Sequence, residues 1–97
     1  NEYRAAIEEL EQSESEAREA RDYFELLDRL APLVRSTRNM YETLQKARDS
    51  VRDDRYLIVA RDQAYDLARR AELLHEDSNN GLGFAGGWEA EQQAEAS

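Results

Sequence analysis

A seven-residue spacing of apolar and small residues, which extends from Tyr3 to Val34, constrains the fold of this chain most. In each repeat two such residues are three and then four positions apart, the spacing of a helix face that packs lengthwise against another helix. The stripe consists of Tyr3, Leu10, Ala17, Phe24 and Ala31, and, three residues on, of Ala6, Ser13, Ala20, Leu27 and Val34. The pattern predicts helix–helix association and indicates no chemical reaction.

Residues that interrupt helices are confined to a few positions. Pro32 is the single proline, and the four glycines lie between Gly81 and Gly87. Alanine, leucine, glutamate, arginine and glutamine, which all favour helices, dominate the composition, and no segment alternates as a strand does. We therefore predict an all-α fold, either an antiparallel bundle or a helical hairpin or coiled coil of two to three helices.

Helix boundaries follow from Pro32 and from changes in the apolar phase. Pro32 lacks a backbone N–H and disfavours helix at the preceding residue, which predicts the first boundary. A phase change near Val51, with Asp53 or Asp54 available as an N-cap, favours a second boundary, although one continuous helix over 33–78 is the alternative. We place the three helices at about 2–30, 33–52 and 55–78, within a bundle over 1–80.

The segment after the bundle is predicted to be a linker. Ser78–Gly81 is typical of a helix C-terminus, because asparagine and glycine tolerate the left-handed conformation found there. Residues 81–97 are therefore expected to form a Gly-rich linker and a short C-terminal helix.

Charge is distributed unevenly along the chain, whose net charge is -9. Residues 1–28 carry ten acids and three bases, residues 29–70 ten bases and six acids, and residues 71–97 six acids and no base. This distribution favours antiparallel pairing of an acidic first helix with a basic middle segment. Nucleic acid is not expected as a partner, since so acidic a surface repels phosphate backbones.

Several features suggest the setting of the chain. It contains no cysteine, so it forms no disulfide or thiolate metal site, which fits a cytoplasmic protein. No apolar run approaches the roughly 20 residues of a membrane-spanning helix. Because both ends lie in helix-like sequence, we expect a fragment of a larger protein.

Candidate metal ligands are few. Glu72 and His75 are three residues apart, as ligands are in di-iron helical bundles. The chain has one histidine, so only a symmetric dimer could supply the second pair that such a site needs. Asp62 and Asp66 are four residues apart and could share a cation, but neighbouring arginines explain them as salt-bridge partners. Solvated side chains are the favoured interpretation, and no metal, other cofactor or catalytic residue is predicted.

The C-terminal third of the chain contains two helix-like stretches, Ala68–Ser78 and Glu89–Ser97. Together they resemble the long cytoplasmic stalk helix of CorA-type divalent-cation membrane proteins, which leads into the first membrane span of that family. The resemblance implies a cytosolic, oligomeric and non-catalytic region of a transport protein.

The leading hypothesis is a non-enzymatic helical interaction or scaffold module that associates with itself or with a partner helix. The alternative is a dimeric helical protein with a di-metal carboxylate site. The residues expected at the helix–helix interface are Leu10, Ala17, Ala20, Phe24, Leu27, Met40, Leu44, Leu57, Leu67 and Leu74.

Overall fold

The computed structural model describes residues 2–96 and folds them into three α-helices. In chain order they are α1 (Glu2–Glu16), α2 (Ala20–Ser50) and α3 (Arg55–Ala96). No strand occurs between residues 2 and 96, so the predicted all-α class is confirmed.

The two long helices, α2 and α3, form an antiparallel hairpin. The side chain of Glu89 contacts the backbone N–H of Ala20 near one end, and that of Arg61 donates to Gln45 towards the other. With 42 residues, α3 is about 63 Å long at ~1.5 Å per residue. It extends along nearly the whole molecule, which measures 66 × 20 × 14 Å.

The short helix α1 lies parallel to α3 in the groove of this hairpin. Ile7 packs against Leu67 and Ala71, and Leu10 packs in a second cluster with Leu74 of α3. Two ion pairs border α1, from Glu9 to Arg29 of α2 and from Glu11 to Arg70 of α3, with N–O distances of 2.9 and 2.6 Å. Helix α1 therefore covers only the middle of the hairpin, and its acidic residues meet bases on both neighbours.

The predicted boundary at Pro32 is wrong, because α2 continues through this residue. Pro32 cannot donate the helical hydrogen bond to the carbonyl of Asp28, and both residues lie on the exposed side of α2. Leu30 and Leu33, on either side of the proline, pack in the core. Burial of these side chains outweighs the local cost of the proline.

The break between the first two helices lies instead at residues 17–19, which contain neither glycine nor proline. The Asp22 carboxylate accepts hydrogen bonds of 3.0 Å from the backbone N–H groups of Arg18 and Glu19. The Arg18 guanidinium donates to the carbonyls of Ser15 and Ala17, at the end of α1. Side chains thus satisfy the helix ends that meet at this turn.

The hydrogen bond from the N–H of Glu19, followed by that from Arg18, lowers the pKa of Asp22 below the ordinary value of an aspartate. A carboxyl whose pKa is depressed by folding stabilises the fold above its unfolded pKa of about 3.9, and this contribution disappears as the pH falls through the lower folded value. We therefore expect Asp22→Asn to lower the free energy of unfolding at neutral pH and to have little effect at an acid pH below the folded pKa of Asp22, where both side chains are neutral.

Urea denaturation at the two pH values would measure this difference. Asp28→Asn changes an exposed carboxylate of the same helix and serves as the control. If Asp22→Asn lowers the free energy of unfolding by the same amount in acid, the negative charge of Asp22 is not what stabilises the turn.

The predicted break between α2 and α3 is confirmed, since α2 ends at Ser50 and α3 begins at Arg55. Asp54 is the N-cap that the sequence suggested, because its carboxylate accepts hydrogen bonds from the N–H groups of Tyr56 and Leu57 at 2.9 and 3.3 Å. The alternative of one helix over 33–78 is thereby excluded.

The predicted helix end at Ser78–Gly81 and the Gly-rich linker are wrong, because all four glycines lie inside α3. The segment is held by contacts with α2. Ser78 and Ala85 are buried, and the ring of Tyr23 lies so close to Gly81 that a Cβ atom there would clash with it. These contacts offset the low helix propensity of glycine.

Candidate functional site

The structure buries some of the predicted interface residues and exposes one. Phe24, which the sequence predicts at the helix–helix interface, is 61% exposed. The turn at residues 17–19 interrupts the seven-residue phase, so in α2 Leu26 and Leu30 face the core instead. Of the other predicted residues, Leu10, Ala17, Leu67 and Leu74 are buried, and Ala20, Leu27, Met40, Leu44 and Leu57 are half-buried.

Among the large apolar side chains of the core, the sequence reasoning missed three, namely Ile7, Leu26 and Leu30. A signal for two of them exists in the sequence, because Leu26, Leu30, Leu33 and Thr37 recur at spacings of four, three and four. This second stripe is the face of α2 that packs against α1 and α3.

The four candidate metal ligands do not form a common site. Glu72 accepts two hydrogen bonds from Arg38, and His75 Nδ1 lies 3.4 Å from the amide nitrogen of Asn79. Asp62 pairs with Arg61 at 2.9 Å, and Asp66 is exposed. Within residues 2–96 no three His, Asp or Glu side chains are grouped so that they could hold a metal ion.

An aromatic pair, Tyr41 and Tyr65, lies at the surface between α2 and α3. The ring centroids are 5.5 Å apart in an edge-to-face arrangement. Arg38 and Glu72 border the same shallow depression. The hydrogen bond to Glu72 raises the pKa of Arg38, so this guanidinium is held in an ion pair. The aromatic pair and the Arg38–Glu72 ion pair join the two helices.

A different surface lies on α3 beyond the end of α1. Leu73 and Asp77 border α1, since they line a depression together with Glu11 and Glu14. Phe84 and Trp88 each follow one of these residues by eleven positions, or about three helical turns, and therefore lie on the same face of α3.

Helix α1 does not extend over this part of α3. Leu10 packs with Leu74, and α1 ends six residues later at Glu16. Because the two helices are parallel, α1 ends at about the level of Asn80. The position of a third helix beside the hairpin is consequently empty next to Phe84 and Trp88.

The exposed surface at this position is an open depression, which we call the aromatic groove. Phe84 is 79% exposed and Trp88 56% exposed. A Cβ atom built on Gly83 or Gly87 would have no neighbour within 4 Å. Two aromatic side chains thus stand beside a strip of bare helix backbone. The residues that line the groove are Gly83, Phe84, Gly87, Trp88 and Glu91.

No protein-family model, no curated protein and no solved structure matches this chain. Between residues 2 and 96, no helix has both the length and the apolar character needed to cross a bilayer.

The electrostatic surroundings of the groove are negative. From Ala71 onward α3 contains acids and no lysine or arginine, whereas earlier in the helix Arg70 pairs with Glu11. The hydrogen bond that the Arg70 guanidinium donates to the Glu11 carboxylate raises the pKa of Arg70. The groove thus combines aromatic faces and exposed backbone with a carboxylate, that of Glu91.

Proposed function

We propose that this chain is a non-enzymatic helical interaction module, a scaffold or assembly segment that receives another helix in the aromatic groove. One observation carries this proposal: Phe84 and Trp88 are exposed on the face of α3 that borders α1 nearer the middle of the helix. Helix α1 supports the proposal, because it packs on Leu67, Ala71 and Leu74 beside this same face of α3.

The exposed aromatic side chains favour association over a purely internal role. Burying a large apolar side chain contributes about 1.5–3 kcal/mol, and Trp is among the residues that most often dominate the energy of an interface. Exposed apolar patches on a folded chain mark interaction sites when they are contiguous. Phe84 and Trp88 are one helical turn apart and line one depression.

The wider setting belongs to the same proposal. A cytoplasmic location within a larger oligomeric protein fits the composition, and the resemblance to the CorA-type stalk helix stays a prediction. The di-metal alternative receives no specific support, because Glu72 and His75 are engaged with Arg38 and Asn79.

A displayed library of amphipathic helical peptides, combined with light scattering of the chain alone, would test the proposal. We expect a helical ligand or a second copy to bind, and Phe84→Ala to weaken that binding at least about tenfold because it removes an interface aromatic. The matched control is Tyr56→Ala, which removes an 88% exposed aromatic about 42 Å away on the same helix. If no helix and no second copy engages Phe84 or Trp88, the proposal is wrong.

A further inference from the structure

We propose that the helix received by the aromatic groove belongs to another protein and carries lysine or arginine beside its apolar stripe. This inference rests on the proposed function and specifies the chemistry of the partner. It follows from the sign of the charges on α1 and α3, from the glycines of the groove, and from the continuity of the groove with the α1–α3 interface.

Helix α1 shows how this face of α3 selects its neighbour. Ile7 and Leu10 of α1 supply the apolar contacts. Glu11 supplies the flanking charge and meets Arg70 of α3 with an N–O distance of 2.6 Å. At this level the incoming helix is acidic and the receiving helix provides the base.

Beyond α1 the charges of α3 are reversed. Glu91 lines the aromatic groove, and Asp77 lies on the same face two turns before Phe84 and two turns after Arg70. Glu89 and Glu95 add to the negative charge of this end. A helix that continues the α1 position here must therefore supply the bases, because opposite charges across an interface favour correct pairing and like charges oppose it.

The same charges argue against a second copy of this chain as the occupant. Symmetric pairing of two aromatic grooves would bring Glu91 and its acidic neighbours of both chains together, with no lysine or arginine after Arg70 in either segment. Such like-charge contacts oppose association. A partner with basic flanks removes this conflict.

The glycines indicate that the occupant is a helix. Gly83 and Gly87 are four residues apart on α3, so they form a continuous strip without side chains. Small residues at this spacing let two helix backbones approach closely. Phe84 and Trp88 lie along one side of this strip, where they would pack on the apolar stripe of the approaching helix.

The emission of Trp88 provides a local measurement, because it is the single tryptophan of the chain. The probes are two synthetic amphipathic peptides of about 18 residues, or five turns, with the same leucine stripe. One carries lysine and the other glutamate at every flanking position. We expect the lysine peptide to shift the emission to shorter wavelength with an affinity that falls as salt is added, and the glutamate peptide to cause no shift.

Matched variants separate binding in the groove from general attraction to an acidic protein. Phe84→Ala should lower the affinity for the lysine peptide at least about tenfold, and Tyr56→Ala should leave that affinity unchanged. Glu91→Gln should lower the affinity for the lysine peptide roughly two- to fivefold. The control Asp53→Asn removes the same charge in the turn between α2 and α3 and should leave the affinity unchanged.

The possible results distinguish this inference from the proposed function. Equal binding of both peptides, or an emission shift that appears with protein concentration alone, would overturn the basic partner and leave a helix-docking role intact. If neither Phe84→Ala nor Glu91→Gln changes the affinity for the lysine peptide, the peptide binds outside the aromatic groove and the inference is wrong. If no helical peptide and no second copy of the chain binds at the groove, the proposed function itself is wrong.

Discussion

Replacing Leu30 with alanine is expected to lower the free energy of unfolding by about 2–5 kcal/mol. Leu30 is 0% exposed and packs with Leu10, Leu26 and Leu74, so it lies where all three helices meet. The substitution leaves a cavity at this junction. Since a small domain is stable by only about 5–15 kcal/mol, the loss should be evident in urea denaturation followed by helical circular dichroism.

Phe24→Ala is the matched comparison, because it truncates a larger side chain of the same helix that is 61% exposed. We expect its free energy of unfolding to change by no more than about 0.5 kcal/mol. A loss at Phe24 as large as that at Leu30 would mean that Phe24 is covered and that α2 is rotated relative to its neighbours.

The class of the fold and one helix boundary could be predicted from local signals. Good helix formers run through the chain almost without interruption, and tertiary structure had only to arrange the helices. The boundary before α3 was predictable because Asp54 offers the side-chain oxygen that an N-terminus requires.

The turn at residues 17–19 could not be predicted in the same way. The seven-residue stripe continues on both sides of it, so periodicity gives no sign of a break. The turn depends on hydrogen bonds from the backbone to Asp22 and from Arg18 to carbonyls, and a helix-forming segment contains such residues in many places. Phe24 was misplaced because its phase was counted through this turn.

Pro32 and the glycines of α3 show how tertiary packing overrides local preference. Proline costs a helix interior about 3 kcal/mol and glycine about 1 kcal/mol, which predicted boundaries at both places. Long contact between α2 and α3 on either side of them outweighs these amounts. The aromatic groove was missed for the same reason, since Phe84 and Trp88 share a face only if the glycine segment is helical.

Gly81→Ala is expected to destabilise the fold, by about 1 kcal/mol net. A Cβ atom at residue 81 would lie 2.7 Å from Cζ of Tyr23 and closer still to Cε1. The ring has little freedom to move, because it packs against the cluster of Leu10, Leu26, Leu30 and Leu74. Overpacking of this kind costs about 1–3 kcal/mol, against a gain of about 1 kcal/mol from the better helix propensity of alanine.

Replacing Gly83 or Gly87 with alanine should have the opposite effect and stabilise the fold. Neither position has an atom within 4 Å of a Cβ, so each alanine should add about 0.8–1 kcal/mol of stability through helix propensity alone. Urea denaturation of the three single variants measures the contrast, which should reach about 2 kcal/mol. Stabilisation by Gly81→Ala equal to that by Gly87→Ala would show that Tyr23 is not confined. The expected contrast means that Gly83 and Gly87 carry a stability cost with no internal contact to offset it, as a surface shaped for a second helix would.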